Sequence, residues 1–255
     1  MNHIITENRD GVARIEINRP EKKNALTAAM YQALADAIKA AEADAGVRVM
    51  LIHGKMDLFT AGNDLQDFLD NPPRDDKRPV FQFLYGISQA QKPIVAAVAG
   101  AAVGIGTTML LHCDLVYAAP NARLQLPFVN LGLVPEAGSS LLLPALAGYQ
   151  RAAELLLLGE PFSAHKGKEI GLVTEVVPED QLLDTAMAQA KKLAGKPAVS
   201  LRLTKRLMKQ GQQAAVAQQI KLESGHFGER LGSPEAKEAF SAFLQKRKPD
   251  FGQFN

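Results

Sequence analysis

The 255 residues include a single cysteine, Cys113, which leaves no intramolecular disulfide to hold the fold. Its setting, LLHCDLV, is apolar and reads as a small core residue rather than a nucleophile. Tryptophan is absent, and neither sign of charge dominates: 29 Lys and Arg stand against 27 Asp and Glu, a net +2. That balance supplies no electrostatic footprint for nucleic acid or for an anionic membrane surface. The five histidines, His3, His53, His112, His165 and His226, show no metal-ligand spacing, and HExxH and CxxC do not occur. Neither GxSxG nor GxxxxGK[ST] is found, which removes the sequence signals for a serine hydrolase and a P-loop NTPase. No basic region followed by an apolar one opens the chain, and RKPDFGQFN lacks the peroxisomal tripeptide, so a cytoplasmic protein is expected.

Charge is also missing from residues 93–111, a run of 19 residues without Asp, Glu, Lys or Arg. Roughly 20 such residues cross a bilayer. The Ala and Gly content, Thr107 and Thr108, and the lack of an aromatic belt argue instead for a buried strand running into a buried helix. Pro93 opens an extended segment at 94–99, Gly100 breaks it, and Gly104 and Gly106 permit a turn before a helical run at 107–111.

At 47% hydrophobic content the chain is long enough to bury one large core and to carry a helical appendage. Segments 4–6 and 12–17, the second alternating as VARIEI, flank a turn at 8–11 and read as a hairpin. A polar loop at 18–24 precedes a helix capped by Thr27 and reaching about residue 44, with Leu34, Ile38 and Ala41 on one face. A strand at 47–53, a short helix near 65–69, a charged connection at 71–78 bordering the ligand site, a helix at 80–89 and strands at 94–99 and 114–118 follow. Strands alternating with helices predict a parallel sheet whose ligands bind at the carboxyl ends of the strands. Beyond a short extended piece at 124–125 come helices at 139–146, 150–157 and 164–169 and a strand at 172–177. Helices at 180–194, 198–209, 213–228 and 234–246 complete the chain, giving an α/β core over 1–195 and a C-terminal helical region over 196–255.

Two features can carry chemistry. The turns FTAGND at 59–64 and AVGIG at 102–106 place Asn63 and Ile105 42 residues apart, about one βαβ unit. Side by side, their N–H groups would converge on one oxygen and stabilise an enolate or a tetrahedral oxyanion. The alternative is that these glycines serve only close packing of helix on strand. Gly104-Ile105-Gly106 also begins like a dinucleotide fingerprint, but Met109 occupies the third glycine position. The second feature is Glu136 in LGLVPEAGSS, the only acid between Asp114 and Glu154. An apolar site would raise its pKa and make it a proton acceptor near neutrality; alternatively it follows Pro135 into the first turn of a helix, where the macrodipole favours a negative charge.

Together with NRPEKKNAL at 18–26, FTAGNDL at 59–65, KPIVAAVAGAAVGIGTTMLLHCDLVYA at 92–118, AAELLLLGEPFSAHKGKEIGLVTEVVP at 152–178 and AFLQKRKPDF near the C-terminus, these motifs resemble the crotonase superfamily, the enoyl-CoA hydratase/isomerase group. The resemblance implies an α/β spiral of ββα units with a C-terminal helical region that supports trimers or pairs of trimers. It implies an acyl-CoA thioester whose carbonyl oxygen sits between the N–H groups of Asn63 and Ile105. Lys22, Lys23, Ala25 and Leu26 would lie near the nucleotide end of CoA, and Ala61, Gly62, Asp64 and Leu65 beside the thioester, with Gly104 and Gly106 shaping the second turn. The basic segment 246–248 would reach a neighbouring subunit's CoA. No metal or redox cofactor is implied, because coenzyme A belongs to the substrate.

One departure from the family pattern is informative. The two glutamates that serve water in the family's hydratases have Thr108 and Phe128 at their positions here. Neither a hydroxyl nor a phenyl ring does acid–base work on water near neutrality. Glu136 instead matches the single glutamate of the peroxisomal-type Δ3,Δ2-enoyl-CoA isomerases, whose GND and PF segments resemble Gly62-Asn63-Asp64 and Pro127-Phe128. The resemblance thus implies transfer of a double bond from C3 to C2 of a fatty acyl-CoA, with Phe128 as an apolar wall against water. Another reaction through a thioester enolate, hydration included, and a catalytically silent acyl-CoA-binding subunit are the alternatives.

Overall fold

The computed structural model describes residues 2–55, 58–70 and 78–254. The chain runs β1 (Ile4–Arg9), β2 (Val12–Ile17), α1 (Ala28–Ala43), β3 (Val49–Gly54), α2 (Leu65–Asp70), α3 (Pro79–Gln89), β4 (Ile94–Val98), β5 (Ala101–Val103), α4 (Ile105–Thr108), β6 (Leu115–Ala118) and β7 (Arg123–Gln125). It continues through α5 (Ser139–Ala147), α6 (Tyr149–Ala153), β8 (Phe162–Ser163), α7 (Ala164–Glu169), β9 (Glu175–Val176), α8 (Leu182–Ala194), α9 (Ala198–Leu231) and α10 (Pro234–Leu244).

Six strands form one sheet in the order β1-β2-β3-β4-β6-β9, parallel throughout except for the β1–β2 hairpin. Asp10 and Gly11 both take positive φ, the conformation of a tight hairpin turn. Alternate side chains leave β2, β3 and β4 on opposite faces. Ile15, Ile52 and Val98 join the large core with α1 and α3, whereas Val49, Leu51 and Val95 meet Leu182, Ala186 and Ala190 of α8. Burial on both faces explains why these strands read as nearly continuous apolar runs.

A second, smaller sheet has the order β5-β7-β8 and is extended by parallel bridges from Ala102 to Thr60 and from Asn63 to Leu26. A short strand or bridge segment thus follows β3, β4 and β6 in turn, and the expected α/β spiral of ββα units with a C-terminal helical region is what the chain adopts. The uncharged run at 93–111 is divided among β4, β5, α4 and a 3₁₀ turn, and among the described residues no helix is long and apolar enough to cross a membrane.

Several element boundaries differ from expectation. β5 was read as part of a turn, because the positive-φ glycines Gly100 and Gly104 leave only three residues between them. The strand expected at 172–177 pairs only at Glu175 and Val176. The helix expected at 150–157 is α6 continued by a π turn over Glu154–Leu158. The two helices expected at 198–209 and 213–228 are one, α9, because Gly211 meets no close neighbour and costs an exposed helix only about 1 kcal/mol. α10 stops short of residue 246, where Lys246 turns to a φ of 53°. Of the connection expected at 71–78, all but Arg78 lies outside the described residues.

The long helix is held to the core by buried charge. Lys205 Nζ donates to Asp114 Oδ2 at 2.7 Å and to the Lys92 carbonyl at 2.8 Å, and the same Asp114 oxygen accepts from Ile94 N at 2.7 Å. Lys92 Nζ in turn donates to the carbonyls of Ala41 and Asp44 at the end of α1. Removing one partner of such a pair leaves the others buried without compensation. Lys205→Ala is expected to lower unfolding stability by about 3 kcal/mol in urea denaturation. A loss below about 1 kcal/mol, the scale of an exposed pair, would contradict this account of how α9 is anchored.

Candidate active site

Hydrogen bonds in a parallel ladder alternate between the two neighbours of a strand. Leu26 N donates to Gly62 O at 2.8 Å and Asp64 N to Leu26 O at 2.9 Å, so the intervening Asn63 N–H leaves on the opposite side, toward the strand that contains Ala102. On that strand Val103 N donates to Thr60 O at 3.1 Å and Gly104 N to Gln125 O at 2.9 Å, and the alternation returns the Ile105 N–H toward Thr60–Asn63. Continuing the Thr60–Ala102 register by three residues sets Asn63 opposite Ile105. Neither N–H has an acceptor among the described residues. Each donor follows a glycine of positive φ, Gly62 at 90° and Gly104 at 56°, and a Cβ on Gly62 would lie 2.7 Å from the Val103 carbonyl oxygen. Only glycine allows both the turn and the close approach.

The residues expected to contact CoA lie on two paired segments. Ala61 N donates to Lys23 O at 3.0 Å, and Leu26 bridges Asn63, which brings Lys22, Lys23, Ala25 and Leu26 beside Ala61, Gly62, Asp64 and Leu65. Lys22 and Lys23 are exposed, and Leu26 is buried. Asp64 accepts from Arg19 Nη1 at 2.7 Å, and Arg19 also donates to Ala25 O, so this carboxylate ties the two segments together. Burial, the largest influence on it, favours the neutral acid, but Arg19 and the Asp67 N–H outweigh burial and hold Asp64 below the usual carboxylate range. Gly104 and Gly106 flank Ile105 as expected. Phe128 is buried in the main core, and Thr108 is buried with its hydroxyl unpartnered among the described residues.

Glu136 lies three residues before α5, whose N-cap is Gly138, so it is not part of the helix's first turn. It is 7% exposed, and its Oε1 has no hydrogen-bond partner among the described residues. Burial, reinforced by the negative charge of Glu223, pushes the Glu136 carboxyl up to about 8. Tyr31 of α1 steadies the first of the two turns: its buried phenol donates to Asn63 Oδ1, and burial together with the Glu136 charge holds it protonated. Tyr31 and Leu26 also line a cavity of about 100 Å³ with Phe68, Pro79, Val80 and Arg78. Cys113 is no rival for the chemistry, since burial raises its thiol to about 12.

Tyr31 and Glu223 escaped the sequence reading. Tyr31 fits the apolar face of α1 and carries no local sign of its role. Glu223 stands in a polar helix, and the groups that it accepts from are 83 and 85 residues away in the chain.

Known proteins resemble the chain over nearly its whole length. A family model described as enoyl-CoA hydratase/isomerase matches residues 7–254. The chain is 34% identical over 254 residues to the 2,3-dehydroadipyl-CoA hydratase of Escherichia coli K12, covering 98% of this chain and 99% of that protein. It is 34% identical over 252 residues to the enoyl-CoA delta isomerase 2 of Rattus norvegicus, covering 96% of this chain and 64% of that one. The crystal structure of an enoyl-CoA hydratase/isomerase from Pseudoalteromonas atlantica T6c superposes with a TM-score of 0.94 at 42% identity, over 98% of this chain and all of that one.

Burying Glu136 has a consequence for stability. Its carboxyl holds a proton more tightly folded, at about 8, than unfolded, near 4.5. The contribution is therefore full below about 4.5, shrinks as pH rises and is gone above about 8. Glu136→Gln, which cannot ionise, is expected to match the wild type near pH 4 and to exceed it at pH 9 by on the order of a few kcal/mol in chemical denaturation. A stability difference that does not change with pH would rule out a carboxyl held neutral by burial.

Proposed function

The chain belongs to the enoyl-CoA hydratase/isomerase family, and from that premise we propose that it is a Δ3,Δ2-enoyl-CoA isomerase with Glu136 as its acid–base group. The observation that carries the reading is the buried Glu136 carboxyl, with one unpartnered oxygen and a raised proton affinity, in a fold that also leaves the N–H groups of Asn63 and Ile105 without an acceptor among the described residues. In this mechanism the thioester oxygen accepts from both N–H groups. Ionised Glu136 takes a proton from C2, and the electrons move through C2 and C1 to the oxygen, forming a dienolate. The same carboxyl returns the proton at C4, leaving the double bond between C2 and C3. Each such donor is worth roughly 3–4 kcal/mol to the developing oxyanion.

Thr108 and Phe128 favour isomerisation over hydration, because neither supplies a second carboxylate for water. The acyl chain is assigned to the cavity beside Tyr31, and the CoA nucleotide to the exposed Lys22 and Lys23. The chemistry calls for no metal or redox cofactor. A homotrimer or a pair of trimers in the cytoplasm completes the proposal, with exposed Phe243 and Leu244 on α10 suited to contacts between copies.

The test is a spectrophotometric assay with a short 3-enoyl-CoA, following the conjugated 2-enoyl thioester. Absorbance is expected to rise to a stable plateau, and kcat/KM to climb with pH up to about 8 and then level off as Glu136 ionises. Glu136→Gln is expected to reduce kcat about 10³-fold. Near wild-type turnover in that variant would remove Glu136 as the base, whereas a rise followed by decay to the hydrated product would favour the hydratase alternative.

A further inference from the structure

The loop that carries Glu136 is built against its own backbone preferences. Ala137 and Gly138 take consecutive positive φ values of 62° and 73°, and a non-glycine residue pays for that conformation. Two buried side chains hold the loop there. From behind, His112 Nε2 donates to the Ala137 carbonyl at 2.7 Å; burial drives this imidazole down to about 4, so it is neutral. From α9, Glu223 accepts from Gly138 N at 2.5 Å through Oε2, and from Ser140 N at 2.9 Å and Ser140 Oγ at 2.5 Å through Oε1. Gln219, one turn earlier on α9, donates to the same Ser140 hydroxyl at 2.8 Å.

These contacts exceed what capping a helix requires. Both Glu223 oxygens accept, two of the bonds come from N–H groups that cannot accept in return, and such a pattern selects the ionised form over the acid. Burial, the larger influence, holds the Glu223 carboxyl above the usual carboxylate range, and the three bonds offset part of that rise.

We propose that Glu223 is a positioning residue for the reaction: its carboxylate holds the Glu136 loop in its strained shape and sets a second negative charge behind the base. The inference rests on Glu136 being that base. The other titratable groups around the loop do not duplicate the effect. Tyr31 of α1, within the influence of the Glu136 charge, is a neutral phenol, and His112 meets Ala137 as a neutral imidazole. Lys209 donates to the His112 carbonyl and Lys205 is bound to Asp114, while Arg230 donates to the Gly132 carbonyl at the start of the loop. Glu223 is the group whose negative charge acts on Glu136. A like charge makes a carboxyl harder to ionise, so removing it must lower the pH at which Glu136 loses its proton.

The experiment compares Glu223→Gln, Glu223→Asp and Ser140→Ala with the wild type in two readouts. One is the pH profile of kcat/KM; the other is direct titration of the Glu136 carboxyl carbon by NMR, which needs no turnover. For Glu223→Gln, the acid limb and the NMR midpoint are expected to fall together by about one pH unit. Its kcat is expected to drop about tenfold or more with KM nearly unchanged, since the loop loses its hold on the base. Glu223→Asp keeps the charge and withdraws it by one methylene, so kcat falls while the limb stays in place. Ser140→Ala also leaves the limb in place, with a smaller loss of kcat. If Glu223→Gln does not fold, the Asp and Ala variants decide: a shifted limb or an unchanged kcat in Glu223→Asp overturns the proposal. A folded Glu223→Gln with unmoved limb and midpoint overturns it as well. Failure of the base assignment is separable, because it shows as activity in Glu136→Gln while the NMR midpoint still registers the effect of Glu223.

Discussion

A parallel ladder cannot satisfy every donor at its ends. Each strand offers its hydrogen-bonding groups alternately to left and right, and where the pairing stops, the next N–H on each strand is left facing its neighbour with nothing to accept it. Here the pairing of Thr60 with Ala102 ends just before Asn63 and Ile105, and the two leftover donors face each other's strand. Everything around the site follows from keeping that ladder end in place. Arg19 and Asp64 hold the outer segment, Gly62 admits the Val103 carbonyl at close range, and α4 begins at Ile105. An unpaired backbone N–H in a protein interior costs free energy, and a binding site is one reason to retain it.

The carboxylate adds a second cost in the same place. Glu136 is buried with an unpartnered oxygen, next to a left-handed Ala137 and within the influence of another buried carboxylate. A structure tolerates this only if the surroundings over-determine it. α9 supplies that support twice along its length: Lys205 fixes its N-terminal half to Asp114 and Lys92, and Glu223 fixes its C-terminal half to Gly138 and Ser140. The C-terminal helical region thus belongs to the architecture of the site as well as to the periphery of the fold. Its hold is partly electrostatic, through buried Lys205 and Glu223, and partly apolar, through Ile220 and Phe227 in the main core.

Much of this was legible before the fold was known. The α1 helix with its Thr27 cap, the apolar strands β2, β3 and β4, and the glycines Gly62 and Gly104 directly before the two donors all rest on local preferences that act within a few residues. The break expected at Gly211 failed because a single glycine on an exposed helix face is a small penalty that flanking turns absorb. β5 went unread because a three-residue strand derives its identity from its partner, not from its own composition.

Chemistry divides along the same line. Glycines that permit positive φ and a lone acid among apolar residues are properties of residue type and spacing, and the sequence alone determined them; that Thr108 and Phe128 stand where a pair of glutamates would serve water is what the family resemblance implies. Glu136 by itself was open to two readings, a helix-start charge or a buried base. Its place outside α5, its unpartnered oxygen, the Tyr31 link to Asn63 and the arrival of Glu223 were decided only by the tertiary structure. The physical reason is distance: proton affinity depends on burial and on charges brought near by folding, and no local pattern encodes groups that meet across more than 80 residues of chain.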